Sequence, residues 1–521
     1  MAATVANSLT LISSGLADTR LQPPKGNPNI SQFLKVVRKT SRWAAFWERI
    51  DFDGSPEFGQ RISCTLPVKG ELITGINIVA QMPDILTVQE QAQQQPGFLG
   101  PSYGWTNSLG HALIQQIELE IGGVIVETLT SQQLEILDEL YETVESSIAK
   151  NAMIKRAPNG FSPKTWQTAT TVYVPIPFWF SRPGIYSNAL PIEALKVDRV
   201  RIHVTFRPIS QLFYTDARVN SGTVGFRPNV DIEGAMWALE GARFWRADPT
   251  KDGNIYTMNA QMVVFDRNLD MIPVKGEIIP NITMPNRLAL VDAYVLTEYI
   301  SLEEYEALVI RSSELTYHVQ QHLALDMEQA LEAKEQRLVI PYTNPTKEIT
   351  WVFQNPQAQT FNAWFLFTRT LSLIPDGKAP LNPCLVPWWP DADVLPMATN
   401  RWLLRPAFQQ SYSEPLESAI LLYSSYERFQ HEASFFRSVV PSLYYAKSAI
   451  YNRYIYTYSF GQNMLTHEYV PKGAANWDKI GRKELYLTMF NGAPNLNMYI
   501  YVTIWNVFKV YGGRGSMLFS N

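Results

Sequence analysis

The residues best able to do chemistry are few, and their spacing suits no familiar reaction. Six histidines occur: His111, His203, His318, His322, His431 and His467. His318 and His322 stand four apart, the spacing at which two imidazoles on one helix face share a zinc ion. The intervening Val-Gln-Gln lacks the glutamate of the zinc-protease pattern, so the pair is read as solvated. Glu118 and Glu120 lie two apart in a strand-like run and so share a face. Paired carboxylates can divide general-acid and general-base work, but a solvent-facing edge is the plainer reading. Trp388-Trp389 between prolines offers a stacking platform for a sugar, or simply packs a loop. Gly512-Gly-Arg-Gly515 has no helix after it to supply phosphate-binding amides, and is read as a flexible tail. Serine-hydrolase elbows, phosphate-binding loops and dinucleotide fingerprints are all missing. Cys64 and Cys384 are far apart, form no CxxC or Cys/His metal spacing, and read as small buried hydrophobes in a reducing compartment. The site therefore holds no assigned catalytic, cofactor-binding or metal-ligating residue, and the expectation is a protein that is not an enzyme.

The elements that would position any site are mostly strands. Tyr499 to Trp505 and Tyr454 to Phe460 are almost wholly β-branched or aromatic, and Arg201 to Phe206 alternates polar with apolar. Such runs suit a pleated, half-buried surface. Spacers such as Asp51-Phe-Asp-Gly-Ser-Pro56 and Asn491-Gly-Ala-Pro494 carry turn residues, and 34 Pro and 28 Gly punctuate the whole chain. Sandwiches or barrels follow. Helical periodicity is confined to Ser131–Ile148, with Leu134, Leu137, Leu140, Tyr141 and Val144 on one stripe and Ser131 able to cap its start, and to Leu302–Val309. Leu323 to Gln336 is either a further helix or a polar loop. Strand-rich blocks at about 32–213 and 286–521 flank a stretch, 214–285, read as linker and insertion.

At 521 residues the chain is too long for one ordinary core. Hydrophobic residues make up 46% and charged residues only 18%, with 25 Tyr, 25 Phe and 14 Trp. Large interfaces favour aromatic residues and exclude Lys and Glu; a large β core rich in cross-strand aromatic pairs would leave the same composition. Net charge is −4 and the densest basic cluster, Lys150 to Arg156, holds three positive charges. Wrapping nucleic acid takes many more phosphate-neutralising side chains, so direct genome packaging is not expected. The first residues lack a basic start followed by an apolar run, and no window approaches 18 apolar residues, so neither a signal peptide nor a membrane span is read. Two sequons, at Asn29 and Asn281, are then expected to be silent.

Several stretches resemble a known family. Gln32 to Thr40 with Phe46 looks like its opening strand; Phe58-Gly59, Cys64-Thr65 and Gly70 to Ile73 resemble the next two. Trp105 to Leu113 running into Ile117-Glu-Leu-Glu-Ile-Gly-Gly123 is similar to its most recognisable signature. Val174 to Phe180, Ala189 to Ile192 and Val200 to Phe206 resemble the end of a first module; Lys347 to Phe353, Glu427-Arg-Phe429, Tyr454 to Phe460 and Gly512 to Asn521 resemble parts of a second. The family is the major capsid protein of nucleocytoplasmic large DNA viruses, the iridovirus, chlorovirus and giant-virus type. The likeness covers most of 30–213 and 286–521 and departs at 214–285 and 376–420. It implies an all-β fold of two consecutive eight-stranded antiparallel jelly rolls, with long loops and a few short helices. The implied layout is an arm at 1–31, a first roll at 32–213, linker and insertion at 214–285, and a second roll at 286–521 with a long surface loop at 376–420. It also implies a homotrimeric, pseudo-hexagonal capsomer in an icosahedral shell, located in the virion and assembled in the host cytoplasm. Neighbouring capsomers, penton and minor capsid proteins are the implied partners, with the internal viral membrane reached through the arm and its Pro23-Pro24-Lys-Gly-Asn-Pro28 stretch. Two rivals remain: a carbohydrate-active or carbohydrate-binding sandwich, and a vertex or scaffold protein of related fold.

Overall fold

Strict alternation sets the strands. In Ile114–Ile121 the apolar Ile117, Leu119 and Ile121 are buried while Glu118 and Glu120 are partly exposed between them, as a strand with one wet face requires. The computed structural model describes residues 42–83, 102–156, 170–181, 186–216, 289–325, 335–354, 414–445, 454–461, 472–490 and 496–519, with isolated pieces at 244–247, 255–256, 261–265, 271–275, 356, 364–365 and 367.

In chain order the strands of the first part are β1 (Trp43–Asp51), β2 (Arg61–Thr65), β3 (Leu72–Gln81), β4 (Ser102–Trp105), β5 (Ile114–Ile121), β6 (Val124–Thr130), β7 (Thr171–Pro175), β8 (Val200–Phe206), β9 (Phe213–Asp216), β10 (Phe244–Ala247), β11 (Ile255–Tyr256), β12 (Gln261–Phe265), β13 (Met271–Lys275) and β14 (Asp292–Leu302). Those of the second part are β15 (Leu315–Ala324), β16 (Glu335–Val339), β17 (Pro345–Gln354), β18 (Leu416–Tyr423), β19 (Tyr426–Glu432), β20 (Ile455–Ser459), β21 (Ala475–Asn476), β22 (Lys483–Met489), β23 (Asn497–Tyr511) and β24 (Arg514–Met517). The helices are α1 (Leu109–Leu113), α2 (Ser131–Tyr141), α3 (Val144–Ile154), α4 (Glu304–Ser312) and α5 (Val440–Tyr444).

The pairing repeats itself. One sheet runs β1-β14-β3-β7 and its partner β2-β8-β5-β6; in the second part the corresponding sheets run β15-β23-β17-β20 and β16-β22-β18-β19. Numbered within its own set of eight, each part has strands 1-8-3-6 in one sheet and 2-7-4-5 in the other, all antiparallel. That order, with the last strand returning beside the first, is the jelly roll. The chain is thus a double jelly roll. Ile50, Ile73, Ile76 and Ile78 face Cys64, Ile117, Ile202 and Val204 in the first core, and Ile349, Trp351 and Phe353 face Leu421, Leu485 and Leu487 in the second. Strand order is non-local, and it moves one strand across the blocks expected from sequence: β14, within the block expected from 286 onward, pairs with β1 and β3 and is the first roll's eighth strand.

Successive strands run antiparallel, so their connections alternate between two ends of each roll. At one end β5 turns into β6 through Gly122–Gly123, and at the equivalent place β18 turns into β19 through Ser424–Ser425. Both are two-residue turns with left-handed backbone throughout: φ is 62° and 87° for the glycines, 48° and 76° for the serines. The connections from β8 to β14 and from β17 to β18 leave from the opposite end.

Several expectations shift. The stripe at Ser131–Ile148 is two helices, because Glu142 is extended and Thr143 starts α3 by accepting from the Ser146 amide. Thr130, not Ser131, caps α2, accepting from the Gln133 amide. The helix expected at Leu302–Val309 is α4, displaced by two to three residues. Gly512–Gly513 is no flexible tail: it turns β23 back into β24, with φ of 60° and 82°. Residues 416–420 of the loop expected at 376–420 open β18. Leu323–Ala324 and Glu335–Gln336 are strand, while 326–334 lies outside the described residues, as do Trp388-Trp389, Cys384, His467, both sequons and the arm at 1–31.

Candidate assembly interface

The candidate site is the junction where the two rolls join, together with the surfaces they leave exposed. Along β23, Met498, Ile500, Val502 and Ile504 belong to the second roll's own core. Tyr501 on the opposite face, with Val319 of β15 and Val352 of β17, belongs to the core shared with the first roll. Buried on both faces, such strands read as near-continuous apolar runs, which explains Tyr499 to Trp505.

One polar row crosses this buried face. His322, Thr503 and Glu348 lie directly opposite one another on β15, β23 and β17. The Thr503 hydroxyl donates to Glu348 Oε1 at 2.6 Å, and His322 Nδ1 lies 3.0 Å from Thr503 Oγ1. Tyr141, from the end of α2, donates to the same carboxylate oxygen, and Tyr445, beyond α5, donates to the other. The helical excursions of both rolls therefore converge on one buried carboxylate, with the two tyrosine rings edge to face at 5.6 Å. A charge this deep is tolerable because several donors surround it. Burial first, then Glu348, pushes the Tyr445 hydroxyl well above the ordinary tyrosine value.

Other contacts extend the junction. Edge strand β6 lies beside edge strand β15, where Gln321 Nε2 donates to the Val126 carbonyl at 2.9 Å and the His322 amide donates to Glu127 Oε1 at 3.1 Å. A side chain thus occupies an edge amide that would otherwise invite a foreign strand. The three amides of Val197, Asp198 and Gly515 bring two turns together: the first two donate to the Gly513 carbonyl at 3.0 and 3.3 Å, and the third donates to Asp198 Oδ2 at 3.0 Å. A Cβ on Gly122 would sit 2.6 Å from the Asp198 carboxyl carbon, so the turn at Gly122 has room only for glycine. Arg207 lies 3.7 Å above the Trp364 ring, whose Nε1 donates to the Gln211 carbonyl at 2.8 Å. Burial lowers the Arg207 guanidinium to about 10, against an opposing effect of Tyr499.

Beneath the Trp105–Gly123 block lies a buried ionic hub. Arg156, at the end of α3, bonds Glu135 twice, at 2.7 and 3.0 Å, pairs with Asp138, and lies 3.4 Å from Glu139. Ser108 donates to Glu135 Oε1 at 2.9 Å, and His111 Nδ1 is 2.6 Å from Oε2. Serine, histidine and carboxylate invite comparison with a nucleophile relay, in which serine bonds histidine and histidine bonds the acid. Here serine and histidine both bond the acid, and all three are buried, so the group serves as an anchor. Burial works to raise the Asp138 carboxyl, but Arg156, then Lys150 and His111, outweigh it and hold the group at about 2. Burial likewise works to lower Arg156, and its three carboxylates outweigh that and raise it.

The residues weighed for chemistry scatter. His318 and His322 lie on a strand, not a helix; His322 is buried in the polar row and His318 is exposed, so the expected solvated pair is divided. Glu118 and Glu120 share the outer face as expected, but of a central strand flanked by β8 and β6. Glu118 pairs with Arg61 at 2.5 Å and Glu120 with His203 at 2.6 Å. Cys64 is buried, its thiol pushed up to about 12 by burial and, secondarily, by Asp53 and Asp51. Sequence reading missed Arg156 and Glu348: Lys347-Glu348 at the head of the apolar-rich run Ile349 to Phe353 was the available signal for Glu348, while Arg156 sat in a cluster read only as basic. Among the described residues no group of three or more His, Cys, Asp or Glu is arranged to hold a metal ion, and no helix is long and apolar enough to cross a membrane.

Comparison with known proteins gives this arrangement its context. Residues 31–237 match the family model for the major capsid protein N-terminus, and residues 306–515 match that for the large eukaryotic DNA virus major capsid protein. The probable capsid protein 4 of Acanthamoeba polyphaga mimivirus is 20% identical, the alignment covering 98% of this chain and 99% of that protein. The major capsid protein of Chrysochromulina ericina virus is 21% identical over the same shares. Among solved structures, the Faustovirus major capsid protein superposes with a TM-score of 0.63 at 10% identity, over 98% of this chain and 99% of that one. PBCV-1 VP54 gives 0.62 at 17% identity, over 94% and 100%. The two matched models fall one on each roll, and the chain belongs to the major capsid protein family of large eukaryotic DNA viruses.

Proposed function

We propose that this chain is the shell-building subunit of an icosahedral virion, working as a homotrimer and catalysing no reaction. The observation that carries the reading is the duplication: one chain holds two rolls of identical strand order, locked together through the Tyr141–Glu348 bond and the Asp198 turns. Three such chains around one axis present six similar rolls, a near-hexagonal block that tiles a closed shell. Cyclic three-fold closure is the economical way for identical subunits to bury their faces. The pairing supports a first roll ending with β14 and a second roll from β15 onward, and the reading keeps an arm at 1–31. The stretches 214–285 and 376–413, at the ends opposite the tight turns, would stand on the outer surface.

In this reading the partners are neighbouring capsomers, penton and minor capsid proteins, and the internal viral membrane by way of the arm; nucleic acid is not contacted directly. Localisation is the capsid shell, with assembly in the host cytoplasm. Quantifying the proteins of purified particles tests the role. A single dominant species at this chain's mass of 59.3 kDa is expected; a few copies per particle would assign it to a vertex or scaffold instead.

A further inference from the structure

Helix α4, which joins the two rolls, wears its apolar stripe outward. Ala307 is buried against the protein, while Tyr305, Leu308 and Val309 are 76%, 56% and 44% exposed. Positions 305, 308 and 309 lie on one helical stripe, and Glu304 and Glu306 flank it on either side. A surface helix ordinarily turns that stripe to its core. An apolar stripe in water marks a contact surface.

A second surface at the same end has the opposite rim. The turn cluster around Asp198 exposes Val124, Ile125, Val197 and Tyr511 at 65%, 49%, 57% and 74%. Exposed Lys196, Arg199 and Arg514 surround them, and none of the three has an ion-pair partner among the described residues. Direct contacts hold these parts together: the Val197 amide donates to the Gly513 carbonyl, and Asp198 packs against Gly122. One surface is thus apolar with acidic borders, the other apolar with basic borders.

We propose that α4 of one copy of this chain docks on the turn cluster of the next, making the head-to-tail contact of the assembled ring. This rests on the self-assembly proposed above. A ring of identical subunits needs two different, complementary surfaces on each chain, because a surface that meets only itself closes as a two-fold. Complementary charge rims also speed and orient the encounter. The turn cluster unites segments of both rolls, so the surface exists only in the folded two-roll chain.

The test exchanges the charges. Full-length Glu304→Lys/Glu306→Lys and Lys196→Glu/Arg199→Glu variants are made separately, their melting temperatures are compared with the parent, and their oligomers are measured by native mass spectrometry across concentration. Each variant alone is expected to associate roughly tenfold more weakly or worse, with an unchanged melting temperature of the monomer. A chain carrying all four substitutions regains opposite charges at each contact and is expected to recover the oligomer. Unchanged assembly of the single-surface variants, or no recovery in the combined chain, overturns the α4 contact. A parent chain that stays monomeric at all concentrations instead overturns the self-assembly reading on which it rests.

Discussion

Replacing Arg156 by methionine should destabilise the first roll strongly, and should reverse how its stability depends on pH. The guanidinium is 1% exposed and serves Glu135, Asp138 and Glu139, with Lys150 Nζ, 3.0 Å from Asp138, as the other nearby cation. Methionine fills similar volume, so little cavity opens, and the cost is that of leaving buried carboxylates uncompensated, about 3–5 kcal/mol. For a cooperative unit the size of one roll that lowers the melting temperature by roughly 10 °C. In the parent chain Asp138 sits at about 2 against an ordinary 3.8. A lowered carboxyl contributes stability above its unfolded value and loses it as pH falls through the folded one. The parent should therefore be flat in this respect from pH 8 to 5 and weaken only below about 4, by about 2 kcal/mol. Without Arg156 the largest influence left on Asp138 is burial, which raises its carboxyl, so the folded variant binds more protons than the unfolded chain near neutrality. Its stability then rises as pH falls from 7 towards 5. Calorimetric melting of both proteins from about pH 2 to 8 reads this directly. A loss below about 1 kcal/mol, or two parallel pH profiles, would refute the hub as an ionic anchor.

The two equivalent turns make opposite demands. Ser424→Asn with Ser425→Gly relieves left-handed backbone at two non-glycine residues and should gain about 1–2 kcal/mol, read as a higher melting temperature, whereas Gly122→Ala should lose at least as much by strain and by collision with Asp198. Glu348→Gln keeps the shape of the polar row but supplies an amide where Tyr141, Tyr445 and Thr503 all donate; a loss of about 1–3 kcal/mol is expected, with faster hydrogen exchange in α2 and β17, and unchanged exchange there would contradict the latch. The Cys64 thiol, buried and raised to about 12, should resist a thiol-specific reagent at pH 8 in the folded protein and react on unfolding.

Local signals in the sequence carried the strands well and the partnerships poorly. Tyr499 to Trp505 and Arg201 to Phe206 lie within β23 and β8, since β-branched and aromatic runs suit a sheet whatever they pair with. Pairing itself is non-local, so nothing near Asp292 could disclose that β14 completes the first roll. The cap at Thr130 was legible in Thr-Ser-Gln-Gln, where a hydroxyl residue precedes a glutamine by three, but the apolar stripe drew the start to Ser131. Thr143 passed unnoticed because Val144 continues the stripe of the preceding helix. Gly512–Gly513 has the composition of a tight hairpin turn; the short, polar β24 behind it gave too weak a strand signal to complete the pattern. Of the junction, the aromatic excess foretold large buried contact, but Arg156 and Glu348 acquire meaning only when distant segments bring Glu135 and Tyr445 to them.

The central claim, that one two-roll chain closes with two copies of itself, is tested most directly by the native mass of the purified full-length protein over a range of concentrations. A dominant species at three times the 59.3 kDa chain mass is expected, persisting on dilution into the micromolar range. A monomer at high concentration, or a stable dimer, would contradict it.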